Sequence, residues 1–341
     1  MQAVLCHAFG DPSAIRLGEI DAPRPKRGEL LVDVHAAAVS FMDTLMTAGK
    51  YQMRPPLPYV PGSDAAGVVA AVGEGVTRFK PGDRVACGNW YGSYAEQMVC
   101  SEFGATALPP EVDFATGSAV RHGYGTAYYA LVECARLQPG ETVFVTGAAG
   151  GVGLAAVDLA RHLGARVIAG VGSPEKAAAV RERGAHEVID YRTEDLKERI
   201  KTLTDGRGVD VFFDNVGGDL FTTMTRLMNW GGRMLPIGFT GGEIPSVPMN
   251  LPLLKNYSIV GAFWGAWTQR CPGQNAAAET ALMQWVAAGQ LRPLVGTRLP
   301  LRDFAEAAAM VTQRRVQGRV VLEVRPAGAL TGGWLKTRAA A

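Results

Sequence analysis

The feature that most constrains the fold is a glycine-rich segment, VFVTGAAGGVG, which runs from Val143 to Gly153. A β-branched strand over Thr142–Thr146 precedes the glycines, and an apolar run over Val152–Leu163 predicts a helix after them. Gly150 has no Cβ, so a pyrophosphate can approach the backbone there, and Gly153 lets the helix pack closely on the strand. Strand, glycine turn and helix in this order predict a dinucleotide-binding unit that holds phosphates at the start of the helix.

Strands and helices alternate through the rest of the middle of the chain. The predicted helix Pro174–Arg183 has Ser173 as its N-cap and ends at Gly184. The further predicted strands are Arg166–Val171, Val188–Tyr191, Val209–Asp214, Gly232–Ile237 and Tyr257–Gly261. This alternation predicts βαβ units in a parallel, doubly wound sheet of the α/β class.

The two ends of the chain have a different pattern. Short apolar runs broken by proline and glycine turns predict an all-β region over residues 1–120. A helix is predicted over Asn275–Ala288, and strands over Leu294–Leu299 and Arg319–Val324 are expected to return to this first region. The tail after Pro326 is predicted to be poorly anchored. A chain of 341 residues with these two patterns is expected to form two domains.

The end of the predicted strand Arg166–Val171 indicates which nicotinamide cofactor binds. An NAD site needs an acidic residue there to accept a hydrogen bond from the ribose 2′-hydroxyl. Residues 170–172 carry no carboxylate, whereas Ser173 can donate a hydrogen bond and Lys176 brings a positive charge. This pair suits a 2′-phosphate and therefore predicts NADPH. The alternative for Lys176 is an ordinary exposed lysine of a helix.

Composition argues against several classes of protein. The 34 basic and 32 acidic residues leave a net charge of +2, too small and too scattered for a nucleic-acid or acidic-membrane surface. The five cysteines have irregular spacing, which fits reduced thiols in a cytoplasmic protein better than a disulfide framework. No apolar stretch reaches about twenty uninterrupted residues, and the N-terminus lacks a signal-peptide pattern, so no membrane span or secretion is predicted.

Several further motifs accompany the glycine turn: PGSDAAGVV at residues 61–69, KPGDRV at 80–85, GTAYYAL at 125–131, GAHEVIDY at 184–191 and DNVGG at 214–218. With them the chain resembles the medium-chain dehydrogenase/reductase superfamily, in its zeta-crystallin-like quinone oxidoreductase branch. The resemblance implies a Rossmann domain, residues 124–262, inserted in a GroES-like β-barrel catalytic domain, residues 1–123 plus 263–341. It also implies a homodimer joined edge to edge around Tyr257–Gly261.

The resemblance and the glycine motif together assign the cofactor-binding positions. Ser173, Lys176 and Tyr191 match contacts to the 2′-phosphate and adenosine, while Thr126 and Tyr128 match positions near the nicotinamide. The full set comprises Thr126, Tyr128, Gly150, Gly151, Val152, Gly153, Gly172, Ser173, Lys176, Tyr191, Asn215, Gly238, Phe239, Phe263, Trp264 and Gly265.

No metal site is expected. At the positions where zinc-dependent relatives carry their catalytic ligands, this chain has Ser40, Ser63 and Asp64. A serine hydroxyl is a poor zinc ligand, and one aspartate cannot hold the metal alone. The structural zinc lobe of such relatives needs four closely spaced cysteines, but here only Cys87 and Cys100 follow the corresponding region.

The resemblance therefore implies NADPH-dependent reduction of quinones or α,β-unsaturated carbonyls by hydride transfer without zinc. The catalytic candidates are Tyr51, Ser40 and Asp43, although Ser40 replaces an expected asparagine and Leu45 replaces a tyrosine of some relatives. Tyr51 could stack on the acceptor ring, donate to the acceptor oxygen or only form a wall of the pocket. Asp43 could lie near the nicotinamide or pair with Arg54 or another base. An enoyl-thioester reductase and a non-catalytic NADPH-binding protein are the alternative functions.

Overall fold

A computed structural model describes residues 1–325, whose strands form two large sheets and one two-stranded ribbon. The predicted tail after Pro326 lies outside the described residues. The strands are β1 (Gln2–Cys6), β2 (Ile15–Glu19), β3 (Glu29–Val39), β4 (Asp64–Val72), β5 (Arg84–Gly88), β6 (Gln97–Ser101), β7 (Ala105–Ala107), β8 (Thr142–Val145), β9 (Arg166–Val171), β10 (Glu187–Asp190), β11 (Val209–Asp214), β12 (Met228–Pro236), β13 (Ser258–Ile259), β14 (Val295–Pro300) and β15 (Arg319–Glu323).

The helices are α1 (Phe41–Thr47), α2 (Phe114–Tyr128), α3 (Gly151–His162), α4 (Ala177–Glu182), α5 (Leu196–Leu203), α6 (Gly218–Met224), α7 (Asn250–Lys255), α8 (Trp264–Arg270), α9 (Pro272–Ala287) and α10 (Phe304–Thr312). One π-helical turn over Tyr129–Cys134 continues α2.

The middle of the chain forms a parallel six-stranded sheet in the order β10-β9-β8-β11-β12-β13. Its central strands are buried on both faces, which is why they read as continuous apolar runs. Phe144 of β8 and Phe212 of β11 stack within this core, with ring centroids 5.7 Å apart. The predicted doubly wound parallel sheet is confirmed, but its last strand is shorter than the predicted Tyr257–Gly261 and covers only Ser258–Ile259.

The predicted helix Pro174–Arg183 forms in two parts. It starts as a 3₁₀ turn over Pro174–Lys176 and becomes α-helical only in α4. Ser173 stands at the N-cap position, yet its side chain makes no capping hydrogen bond, so its predicted capping role is wrong. Gly184 follows the helix with φ +96°, a left-handed conformation that favours glycine and ends the helix.

The second sheet joins strands from both ends of the chain, in the order β14-β15-β3-β4-β5-β7, with β6 paired to β3. The β-barrel part is therefore built from the N-terminal and C-terminal segments that precede and follow the parallel sheet in the sequence, as the resemblance implies. The prediction of an all-β region over residues 1–120 is wrong in part. It contains the helix α1, and α2 begins within it and continues past the expected boundary at 123/124.

The two sheets meet at the glycine turn. The Gly318 N–H, just before β15, donates to the Ala149 carbonyl at 2.9 Å, and Gly150 and Gly318 form an isolated β-bridge. Gly318 has φ +68° and lies so close to Leu294 that a side chain would clash there. The returning C-terminal segment therefore places a barrel strand directly against the start of α3.

Candidate cofactor and substrate cleft

The glycine turn leaves the start of α3 open to a ligand. The first four backbone N–H groups of a helix have no partner within the helix, and Gly150, the N-cap, supplies no side chain to satisfy them. A Cβ on Gly153 would lie 2.9 Å from Ala148 Cα, so Gly153 is needed for packing on the strand. A Cβ on Gly150 would meet only one atom, the Gly147 carbonyl oxygen at 3.4 Å, so the space beside Gly150 is open.

Arg319 brings a buried positive charge to this turn. A Cβ on Gly151 would clash with the Arg319 side chain, which is only 6% exposed. Its guanidinium donates to the Asp64 carboxylate at 3.0 Å, while its Nε has no hydrogen-bond partner among residues 1–325. A cation beside a helix N-terminus adds to the positive dipole there and attracts an anion. Sequence reasoning missed this residue, although its position after Gly318 in a predicted strand was visible.

Asp64 is the centre of a buried charge cluster. Arg121 lies 3.9 Å and His122 lies 4.0 Å from its carboxylate, in addition to Arg319. Burial raises the pKa of Asp64 to about 7, against the lowering effect of the two arginines. Burial and the same arginines lower the pKa of His122 to about 3, so this imidazole is neutral at physiological pH.

Two of the three positions that match zinc ligands are engaged otherwise, and the Ser63 hydroxyl is buried without a hydrogen-bond partner among the described residues. The Asp64 carboxylate pairs with arginine, and the Ser40 hydroxyl accepts the Asp43 N–H at 3.2 Å. Two serines and an arginine-paired aspartate are not a donor set that fits zinc. Within residues 1–325, no three or more His, Cys, Asp or Glu side chains are grouped so that they could hold a metal ion.

A basic pocket lies at the end of β9. The Ser173 hydroxyl is buried there and has no hydrogen-bond partner among the described residues. It lies close enough to the Glu175 carboxyl to be the main cause that lowers the pKa of Glu175. Lys176 Nζ donates to the Arg314 carbonyl at 2.8 Å, which holds the ammonium in place. Desolvation and the nearby Arg192 and Arg314 lower the pKa of Lys176. The sequence analysis proposed Ser173 and Lys176 for this pocket but neither arginine.

Tyr191 closes the other side of this pocket. Its hydroxyl would lie 3.2 Å from a Cβ on Gly172, and Arg192 Nε would lie 3.5 Å from the same point. Glycine at 172 therefore lets the tyrosine ring and the arginine approach the end of β9. Burial raises the pKa of Tyr191, so its hydroxyl remains protonated.

Three more predicted positions lie beyond the carboxyl ends of β11 and β12. Asn215 Nδ2 donates to the Thr146 carbonyl at 2.8 Å, and its own carbonyl accepts from the Thr240 hydroxyl at 2.8 Å. These bonds fix the loop that contains Gly238 and the partly exposed Phe239. The carboxyl ends of parallel strands are where open α/β sheets bind ligands.

The predicted group Phe263, Trp264 and Gly265 divides. Phe263 is 53% exposed and Gly265 lies against the Trp90 ring, whereas Trp264 is 6% exposed and points into the interior. The Trp264 indole N–H donates to Asn275 Oδ1 at 3.1 Å, and the Arg121 guanidinium lies 5.1 Å from its ring. Thr126 and Tyr128 lie near the end of α2, buried and half-buried respectively.

Among the catalytic candidates, Tyr51 packs against a small apolar cluster of the barrel. It is half-buried, and desolvation raises its pKa, with a smaller contribution from the Asp43 charge. Its ring centroid lies 6.4 Å from that of Trp90, and Trp90 lies 6.3 Å from Phe263. Tyr51, Trp90 and Phe263 form what we call the aromatic row. Trp90 was missed because its loop carries no motif.

Ser40 and Asp43 form a capping box at the start of α1. The Ser40 N–H donates to Asp43 Oδ2 at 2.8 Å, and the Tyr94 hydroxyl donates to the same oxygen at 2.9 Å. Burial raises the pKa of Asp43, while these bonds oppose the shift. The alternative pairing of Asp43 with Arg54 is wrong, because Arg54 donates to the Gly49 carbonyl instead.

Comparisons with known proteins agree with this geometry. Residues 26–139 match the model of the alcohol dehydrogenase GroES-like domain, and residues 151–284 match that of zinc-binding dehydrogenases. A quinone oxidoreductase-like protein 2 homolog of Nematostella vectensis is 38% identical over 95% of this chain and 89% of its own length. Human quinone oxidoreductase is 37% identical over 90% of this chain and 92% of its own.

A solved structure extends the likeness to three dimensions. Escherichia coli quinone oxidoreductase complexed with NADPH superposes with a TM-score of 0.87 at 30% identity, over 95% of this chain and all of that one. The chain therefore belongs to the medium-chain dehydrogenase/reductase family, in its quinone oxidoreductase branch, and is an oxidoreductase. No helix in the described part of the chain is long and apolar enough to cross a membrane.

Proposed function

We propose that this protein reduces quinones or α,β-unsaturated carbonyls with NADPH, by hydride transfer and without zinc. One observation carries the proposal: the glycine turn after β8 and the basic pocket after β9 lie side by side, because these strands pair and the Ala148 N–H donates to the Gly170 carbonyl at 3.0 Å. The pocket suits a 2′-phosphate, the turn suits a pyrophosphate and the aromatic row suits a conjugated acceptor. The names of the relatives and the NADPH in the Escherichia coli structure support the same reading.

The residues fit NADPH along its length. Ser173 offers an unpartnered hydroxyl to the 2′-phosphate, and Lys176, with Arg192 and Arg314 nearby, adds positive charge to this pocket. The N–H groups at the start of α3 and the guanidinium of Arg319 would hold the pyrophosphate. The positions left for the nicotinamide half are Thr126, Tyr128, Asn215, Gly238, Phe239, Phe263 and Gly265.

Bound NADPH would supply a hydride, so that acceptor, hydride and one proton give the hydroquinone or saturated carbonyl and NADP⁺. The protein positions the acceptor and stabilises the negative charge that develops on its oxygen. The raised pKa of Tyr51 keeps its hydroxyl protonated, so it can donate a hydrogen bond to that oxygen. The final proton comes from Tyr51 or from water.

Ser40 and Asp43 act, in this proposal, by positioning. Their mutual hydrogen bonds fix α1, and the chain reaches Tyr51 four residues after this helix ends. No step needs a Lewis acid, because quinones and enones delocalise the charge that hydride addition creates. This is consistent with the engagement of Asp64 by Arg319.

The test is consumption of NADPH and NADH by EDTA-treated protein with quinones, alkenals and enoyl-thioesters. NADPH-selective turnover of quinones or alkenals that survives the chelator supports the proposal. Turnover confined to enoyl-thioesters would replace it with the enoyl-thioester reductase. Tight NADPH binding without turnover on any of these acceptors would instead favour a non-catalytic NADPH-binding protein.

We also propose a homodimer formed through the edge of the parallel sheet. The strand β13 pairs with β12 alone among the described strands, so its other edge is free. Apolar side chains are exposed beside it, including Leu253 at 79% and Leu254 at 67%. Light scattering should give twice the chain mass for the parent and the chain mass for Leu253→Asp/Leu254→Asp.

The free thiols of all five cysteines support a cytoplasmic location.

A further inference from the structure

The aromatic row brings together three segments that are far apart in the sequence. Tyr51 follows α1, Trp90 lies in the loop after β5, and Phe263 follows β13. Trp90 is the middle member, 6.4 Å from Tyr51 and 6.3 Å from Phe263 between ring centroids. The rings meet at 48° and 58°, so they are tilted and do not stack on one another. Because Trp90 is half-buried and these contacts are tilted, part of its ring surface stays uncovered.

Two contacts hold Trp90 in this position. Its backbone N–H donates to Asn89 Oδ1 at 2.8 Å, and Asn89 in turn donates to the Val99 carbonyl at 3.3 Å. The tip of the indole lies against Gly265, where an added Cβ would come within 2.6 Å of Trp90 Cη2. Only glycine at 265 lets the ring reach across from the barrel to the segment after the parallel sheet.

The next residue of the same loop has different surroundings. Tyr91 is 37% exposed and makes an edge contact with Tyr59, with ring centroids 5.8 Å apart. Adjacent aromatic side chains in this loop thus differ in their partners, since only Trp90 joins the aromatic row. Tyr91 is therefore a matched control for any substitution of Trp90.

We propose that Trp90 is the residue that determines which acceptors this enzyme prefers. The inference rests on the proposed function and adds to it a distinction within the acceptor class. A flat, fused-ring acceptor can stack on the indole face and gain contact with a rigid aromatic surface. A flexible alkenal has no ring to stack and gains little from the same wall. Trp90 selects planar fused-ring acceptors over chain-like ones.

The test compares Trp90→Leu, Trp90→Phe and Tyr91→Leu, with phenanthrenequinone as the fused-ring acceptor and hexenal as the chain-like one. Trp90→Leu should lower the ratio of kcat/KM for phenanthrenequinone to that for hexenal by roughly 10- to 100-fold. Trp90→Phe should keep much of the parent ratio, because it retains an aromatic face, and Tyr91→Leu should keep all of it. Equal losses on both acceptors, or the same change in Tyr91→Leu, would overturn the inference.

Equilibrium binding separates this inference from the proposed function. Phenanthrene has the same fused rings but accepts no hydride, so calorimetric titration measures its binding without turnover. A parent protein that binds phenanthrene yet reduces no acceptor would refute the proposed function alone. Trp90→Leu should weaken phenanthrene binding by about tenfold or more. Unchanged phenanthrene binding, or an equal loss of NADPH affinity, would refute the role of Trp90, the latter because the effect would then pass through Gly265.

Discussion

The substitution Lys176→Ala should weaken the binding of NADPH far more than the binding of NADH. Lys176 Nζ is held by the Arg314 carbonyl at 2.8 Å, so its charge has a fixed position three residues after the unpartnered Ser173 hydroxyl. A charge-assisted hydrogen bond to phosphate contributes about 1.5–3 kcal/mol. Since about 1.4 kcal/mol corresponds to a factor of ten, the Kd for NADPH should rise roughly 10- to 100-fold. Arg192 and Arg314 remain, so binding should weaken without being abolished.

The assay is fluorescence titration of NADPH and NADH in parallel, at low and high salt. The Kd for NADH should change by less than about threefold, because NADH has no 2′-phosphate to lose a contact. High salt should reduce the difference between the NADPH Kd of the parent and that of the variant, since the partly exposed charges are screened. Lys197→Ala, in the exposed first turn of α5, is the control and should change neither Kd. Equal weakening of both cofactors would refute the 2′-phosphate assignment.

Four further substitutions test the glycine turn, the cap of α1 and the buried Asp64. Gly153→Ala should abolish cofactor binding or folding, because the added Cβ would meet the Ala148 backbone. Gly150→Ala should stay folded and lose only affinity for the pyrophosphate. Thermal melts report folding, and NADPH titration reports affinity. Ser40→Ala should lower the free energy of unfolding in urea by about 0.5–2 kcal/mol through loss of the cap; a large fall in kcat at unchanged stability would instead favour a catalytic Ser40. Asp64→Asn should change the pH dependence of stability. Because the folded-state pKa of about 7 exceeds the unfolded value, the folded parent binds the extra proton, so its unfolding free energy should fall as pH rises from about 4 to about 7. The variant should lack this slope, and parallel curves would contradict the assignment.

The parallel sheet was the part of the fold most open to prediction. The strands Arg166–Val171 and Val209–Asp214 have the predicted bounds, because strands buried on both faces are continuous apolar runs that end at turns. The helices near the N-terminus were not predictable in the same way. Residues 114–128 contain Gly117, Gly123 and Gly125, which disfavour a helix, and packing against α3 and β4 overrides that preference.

The residues of the candidate site also differ in how far the sequence alone points to them. Ser173, Lys176 and Tyr191 became candidates from the sequence because they follow strand ends whose place in a Rossmann fold is known from the motif, and their contact with the cofactor remains a prediction. Arg314 and Trp90 could not, since they reach the cleft from segments that lie far away in the sequence and carry no motif of their own. Spacing along the chain specifies neighbours within one element, whereas the contacts between elements depend on the tertiary fold.

Under the proposed function, the pair of Asp64 and Arg319 gives one of the substituted zinc positions a role beside the cofactor. Arg319 is buried against the glycine turn, and a buried cation without a partner would cost several kcal/mol. Asp64 supplies that partner from the barrel at 3.0 Å, so an aspartate here stabilises the cation that faces the phosphate site. The barrel and the cofactor domain are thereby joined by an ion pair at the point where the pyrophosphate would bind. Under the proposed function, the position of Asp64, which matches a metal-ligand position of zinc-dependent relatives, would therefore support cofactor binding through Arg319.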